Sequence, residues 1–180
     1  MKTLNGQRGV TLVEASVVVA VLAIVASAAA PGMRGLIDTR RLDGAATQLA
    51  TDIHYVRTEA VARNQPVRLS FHTQAWGNCY VVHTGARADC RCNASGAATC
   101  AAPSQQIKTV ALAGSDAVGV QANVNSILFD PLHGTSTPTG TLKVVSHSGR
   151  AVHHVVNVMG RVRSCSPTGA VPAVPGYRAC

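Results

Sequence analysis

From Val10 to Ala30 the chain runs for 21 residues in which only Thr11, Glu14, Ser16 and Ser27 are polar. At about 1.5 Å of rise per residue, a helix of that length matches the roughly 30 Å hydrocarbon core of a bilayer. Lys2 and Arg8 precede the run and no acid does. The positive-inside rule therefore keeps the first residues cytoplasmic and sends the bulk of the chain outward. A secretory signal peptide is the competing reading, with Ala28-Ala29-Ala30 in place of its cleavage site. Its apolar region would be only about 7–15 residues. The run here is too long, and it holds Glu14. A carboxylate at the centre of a lipid-embedded helix costs roughly 2.5–3.5 kcal/mol or more and marks function.

After Pro31 the pattern stays helical and becomes amphipathic. Leu42, Ala46, Leu49, Ile53, Val56 and Ala60 step by four and three, the spacing of one helical face. Arg40, Arg41, Asp43, Asp52, Arg57 and Glu59 fall mostly on the others. Asn64-Gln65-Pro66 ends the helix, because the residue before a proline is pushed out of the α region. Beyond it, Val67, Leu69 and Phe71 alternate with Arg68, Ser70 and His72, the period of a half-buried strand. Further strands are expected at Trp76–His83, Ile107–Leu112, Asn125–Phe129, Thr141–Ser146 and Val152–Val158, with Ser146–Gly149 as a hairpin turn. Ala86–Ser104 reads as a loop. One long helix on a mostly antiparallel sheet is an α+β fold.

No nucleophile–base pair, phosphate-binding glycine loop or HExxH motif is present, so the chain reads as a non-enzyme without a cofactor. His153-His154 is a poor metal site, since neighbours on a strand point to opposite faces; one is expected to pack and the other to be solvated. All six cysteines lie beyond the apolar run, on the side where thiols oxidise. Cys79, Cys90, Cys92 and Cys100 have a C-x-C spacing unlike a zinc knuckle and are expected to form two disulfides whose connectivity the sequence leaves open. Cys165 and Cys180 remain for each other. Their bridge would add about 3 kcal/mol in the chain-entropy model and pin a proline-rich tail beside Arg161 and Arg163.

Charge is the last signal. The chain holds 16 basic and 8 acidic residues. Asp130 is the last acidic side chain, and Lys143, Arg150, Arg161, Arg163 and Arg178 follow it. Arg161 and Arg163 stand two apart on an extended segment and point the same way, with Gly160 permitting a bend before them. Forked guanidinium groups suit phosphate. An aromatic content of 3% leaves no stacking platform for single strands, which favours duplex nucleic acid. A solvated basic face, or arginines paired with acids on a neighbouring subunit, is the plainer reading of the same charges.

The short basic leader ending in Gly9, followed by Val10-Thr11-Leu12-Val13-Glu14 and a long apolar helix, resembles a type IV pilin precursor. Val10 stands where that family usually has phenylalanine. The stretches Arg57–Phe71, Phe129–Leu142 and Gly160–Cys165 resemble minor pilins of the GspH/FimT type, whereas Gly85–Ala102 resembles nothing in it. The resemblance implies the type IV pilin fold and a division into a leader (1–9), a hydrophobic membrane and assembly half of the helix (10–33) and a periplasmic or extracellular head (34–180). It implies cleavage after Gly9 by a prepilin peptidase, methylation at Val10, and pairing of Glu14 with the new N-terminus of a neighbouring subunit. Residence in the inner membrane and then in a surface pilus, with other major and minor pilins as partners, follows from the same likeness. In FimT-type pilins of natural transformation, a C-terminal G-R-x-R motif binds DNA. Gly160, Arg161, Val162 and Arg163 match it, so double-stranded DNA is an expected partner, with Lys143, Arg150 and Arg178 as auxiliary contacts. The alternatives are a purely structural minor pilin and a GspH-like pseudopilin of type II secretion.

Overall fold

In the computed structural model, residues 10–169 and 171–180 are described, without the side chains at 29–31 and 34. Lys2, Arg8 and Gly9 lie outside the described residues, as does the side chain of Pro31. The chain divides into two compact units, Met1–Ile37 and Asp38–Cys180. The first unit begins helix α1, which runs from Leu12 to Arg63. Thr11 caps it, accepting a hydrogen bond at Oγ1 from the Glu14 amide at 3.3 Å. The described apolar side chains of this part, from Val10 to Val25, are exposed. Among the described residues no helix is long and apolar enough to cross a membrane; the uninterrupted described stretch ends at residue 28.

In the second unit the expected helical face is the centre of the core. Leu42, Ala46, Leu49, Ile53, Val56 and Ala60 are all fully buried. Asp52 departs from the expected outward face. It is buried, accepting from the Tyr80 hydroxyl at 2.8 Å and pairing with Lys108. Helix α1 ends one residue before Asn64, which takes a left-handed φ of 48°. Gln65 N–H then reaches Ala60 O and Asn64 N–H reaches Val61 O, each at 3.2 Å, so the orphan carbonyls are satisfied before Pro66 is met.

The strands form two five-stranded sheets. The first has the order β5-β2-β1-β7-β8, from β1 (Val67–Gln74), β2 (Gly77–Thr84), β5 (Gln106–Ala113), β7 (Ser126–Phe129) and β8 (Ser136–Thr137). The second has the order β12-β11-β10-β9-β6, from β6 (Val118–Ala122), β9 (Gly140–Ser146), β10 (Ala151–Val156), β11 (Val162–Ser166) and β12 (Arg178–Ala179). All pairings are antiparallel except β11 with β12. Leu69, Tyr80, Ile127 and Phe129 of the first sheet and Leu142, Val144, Val152 and Val156 of the second join the helix face in one core.

Two expectations need correction. Ala86–Ser104 is not wholly loop, since β3 (Cys90–Cys92) and β4 (Ala98–Cys100) pair as a small hairpin. Bridges Cys79–Cys92 and Cys90–Cys100 fasten it to β2 and close it on itself. Cys79, Val81, Cys90 and Cys92 make a second buried cluster with Trp76 against them, which seals much of the outer face of the first sheet. Strand β6 was also unexpected. Val118 and Val120 alternate correctly, but Gly119 weakens the signal; its Cβ position lies 2.9 Å from Asn78 Oδ1.

Candidate functional site

The register of the second sheet assembles a basic face from residues far apart in sequence. Lys143 on β9 stands opposite His153 on β10, which stands opposite Cys165 on β11, which stands opposite Arg178 on β12. Adjacent strands are about 4.8 Å apart, so Lys143 and Arg178 stand about 14 Å apart at the backbone. Arg163, two residues before Cys165 on β11, points to the same face. The intervening residues Leu142, Val144, Val152 and His154 point inward and are buried. Lys143, Arg161, Arg163 and Arg178 are exposed, and their side chains make no hydrogen bond or ion pair among the described residues.

The nearby acids are committed elsewhere. Asp38 accepts from Ser148, Asp43 accepts from Tyr177 Oη at 2.9 Å, and Asp130 accepts from the backbone amides of Leu132 and His133. Those amides, with that of His133 first, hold the Asp130 carboxyl below its ordinary range. The face therefore keeps one sign of charge. Arg150 is not part of it. Its guanidinium donates to the Thr39 hydroxyl on α1, on the inner side of the hairpin that joins β9 and β10.

Gly160 is fixed by its surroundings. It has φ +67°, and an added Cβ would stand 2.6 Å from Gly134 O and 3.2 Å from Arg57 Cδ. Arg57 Nε itself donates to Gly134 O at 3.0 Å. Asn157 closes the turn: its carbonyl accepts from Gly160 N–H at 2.9 Å, and its side-chain oxygen accepts from Arg161 N–H at 2.9 Å. A left-handed glycine after a tight turn is the usual bulge of a three-residue hairpin loop. The result is a rigid corner from which Arg161 and Arg163 project.

The tail is held as firmly. Cys165 is bridged to Cys180, and Cys180 N–H donates to Ser166 O at 3.1 Å. Val174 is buried, and its amide donates to Ser166 Oγ at 2.9 Å. This places Arg178 beside the Arg163 strand although the prolines allow only two residues of β12 to pair.

The histidine pair divides as expected. Burial, helped by the charge of Lys143, lowers the pKa of half-exposed His153. His154 is buried with Nδ1 2.8 Å from Ser164 Oγ, and burial pushes its pKa down to about 4. No cluster of histidine, cysteine, aspartate or glutamate among the described residues could hold a metal. A second serine–histidine pair lies in the first sheet, where Ser70 Oγ is 2.8 Å from His83 Nε2. Both residues are fully buried and His83 Nδ1 is tied to Thr84 O, so no substrate could reach the hydroxyl. No sequence signal announces this pair, because it is made by the β1–β2 register.

At the other end of the chain, Val10 is exposed and Glu14 sits in the first turn of α1. The Thr11-x-x-Glu14 spacing, legible in the sequence, is that of a helix capping box, and a carboxylate there also suits the positive end of the helix dipole.

Comparison with known proteins was made on this background. A family model described as type II transport protein GspH matches residues 45–160, and a prokaryotic N-terminal methylation motif matches residues 4–30. The GspH match stops at Gly160, so Arg161, Arg163 and Arg178 lie past it. No curated protein matches. Among solved structures, the type IV minor pilin FimU of Pseudomonas aeruginosa (strain PAO1) is similar, with a TM-score of 0.50 and 18% identity over 73% of this chain and 96% of that one. At that identity the likeness speaks for the fold.

Proposed function

The chain belongs to the GspH family of type IV minor pilins and pseudopilins, and from that premise we propose that its head binds double-stranded DNA non-specifically and supports DNA uptake. The observation that carries this reading is the set of four cations, Lys143, Arg163 and Arg178 on one face of the second sheet and Arg161 in the turn just before β11, none with a side-chain partner among the described residues. Their contacts would be to phosphates, hence independent of sequence and strongly weakened by salt. So few cations suit an affinity near the non-specific range of about 10⁻⁴–10⁻⁶ M. Gly160 holds the arginine hairpin, and the Cys165–Cys180 bridge holds Arg178.

In this reading a prepilin peptidase removes residues 1–9, Val10 becomes the methylated N-terminus, residues 10–33 hold the protein in the inner membrane as a single pass, and residues 34–180 form the head outside. Glu14 pairs with the N-terminus of a neighbouring pilin during assembly. The Glu14→Ala variant is expected to insert in the membrane and to be missing from sheared pili; normal incorporation would end the pairing role. The DNA test is a duplex titration of the full chain in nonionic detergent across a salt series. Arg161→Ala/Arg163→Ala is expected to weaken binding at least tenfold at low salt and to flatten the salt slope. Wild-type binding by that variant would remove the motif from the mechanism.

One observation favours a purely structural pilin or pseudopilin instead. Leu132, Val158 and Met159, all more than half exposed, lie in the loops that meet at Gly134 and Gly160. Apolar loop tips suit protein contacts better than DNA. This reading gives no DNA binding and a loss of pili or of secretion when the protein is absent.

A further inference from the structure

A second cationic site lies on the first sheet, away from the basic face. Phe71, His72, Thr73, Gln74, Arg87 and Arg91 line most of an open cleft of about 320 Å³. Both arginines are exposed, and neither guanidinium makes a hydrogen bond or ion pair among the described residues. Arg91 is held rigidly, since it stands on β3 between Cys90 and Cys92 and both cysteines are bridged, and Arg87 lies in the turn that leads into that strand. The acid between them in sequence is turned away. Asp89 accepts from Ser104 Oγ at 2.6 Å and from Ala86 N–H at 2.8 Å, and these bonds, with Ser104 first, hold its carboxyl below the ordinary range. Behind the guanidinium groups, His72 Nε2 is buried with no hydrogen-bond partner among the described residues. Burial, and then the nearby charges of His83 and Arg91, lower the pKa of this ring.

Two guanidinium forks, an amide and a hydroxyl around a cleft with no carboxylate in its lining make a donor-rich, positive cavity. Neutral ligands would leave that charge unmatched; a phosphate offers oxygens enough for both forks. The volume is at the lower end for small-molecule sites, the size of a mononucleotide rather than of a large cofactor. We propose that this cleft, formed by His72, Thr73 and Gln74 of β1, Arg91 of β3 and Arg87 just before it, is a binding site for a phosphate group. The phosphate would come from a free mononucleotide or from a nucleic-acid strand. The site stands whether or not the second sheet binds DNA.

The test is NMR of the full chain in nonionic detergent, following the Nε–Hε signals of the arginines and the ring of His72 at constant ionic strength. Inorganic phosphate is expected to shift Arg87, Arg91 and His72 saturably, with a Kd of about 1–10 mM for a few charge-assisted hydrogen bonds. Arg87→Ala/Arg91→Ala should weaken this at least tenfold while leaving no free thiols, and Arg87→Lys/Arg91→Lys should restore part of it. A mononucleotide and a short duplex form the other two arms. Shifts at these three residues with the duplex assign the phosphate to a strand, and shifts with the mononucleotide alone assign it to a free nucleotide; either outcome keeps the site. Non-saturating shifts spread equally over Arg87, Arg91, Arg161 and Arg163 would overturn it. So would saturable binding that survives in the double alanine variant.

Discussion

The two sheets of the head share one core but treat their outer faces in opposite ways. The first sheet is covered by a hairpin fastened with two disulfides, and its outward residues Cys79, Val81 and His83 are buried. The second has no hairpin over it, and its outward residues are Lys143, Val155, Arg163 and Arg178 around a half-exposed His153 and the Cys165–Cys180 bridge. The contrast separates two tasks. The stapled cover on one side adds stability without more core, and the other side, with one bridge to hold its tail, can then carry like charges that contribute nothing to folding.

The largest expected effect comes from removing the cover. Cys79→Ala/Cys92→Ala opens a loop with a sequence separation of 13. The chain-entropy model gives about 3 kcal/mol for such a loop. Chemical denaturation should show that loss, with increased binding of a hydrophobic dye; an unchanged midpoint would mean that the cover is ornamental. An effect of similar size lies beneath the second sheet. His154 titrates at about 4 in the folded protein, below its ordinary 6.5. Between those values the unfolded chain binds a proton that the folded one does not, so stability falls as pH drops from about 6.5 to 4 and levels off below. The size should be about 3 kcal/mol, and His154→Gln should flatten that part of a pH series. The smallest stability effect is expected at Lys143→Ala, within about 0.5 kcal/mol. If the face takes duplex DNA, the same variant should lower the salt slope by about 0.9, which titration at several salt concentrations reads directly.

The helix and its core face were legible because period 3.6 is local information. Leu42 through Ala60 needed no partner to be recognised. Asp52 was not legible, because its partners Tyr80 and Lys108 lie 28 and 56 residues away. A carboxylate among helical polar residues looks solvated until a distant hydroxyl and ammonium are seen to meet it. Arg150 failed in the same way: its partner Thr39 is 111 residues distant. The paired cysteines were expected, but the crossing of Cys79–Cys92 with Cys90–Cys100 depends on where the β3–β4 hairpin folds over β2. Strand alternation was enough to set His153 and His154 on opposite faces, since only parity was needed, but it did not say which of them is buried. It could not show that Lys143, His153, Cys165 and Arg178 form one row, because that requires the register of three strand pairings.

The contact among Arg57, Gly134 and Gly160 also has a mechanical meaning. Arg57 belongs to α1, while Gly160 belongs to the hairpin that displays Arg161 and Arg163. A pull on that hairpin is therefore carried into the helix through a packed side chain and the Gly134 carbonyl, as well as along the strands. Force need not unzip β10 from β11 one bond at a time to reach α1. The corner works as a joint between hairpin and helix, and an enlarged side chain at Gly160 would loosen it without altering the charge.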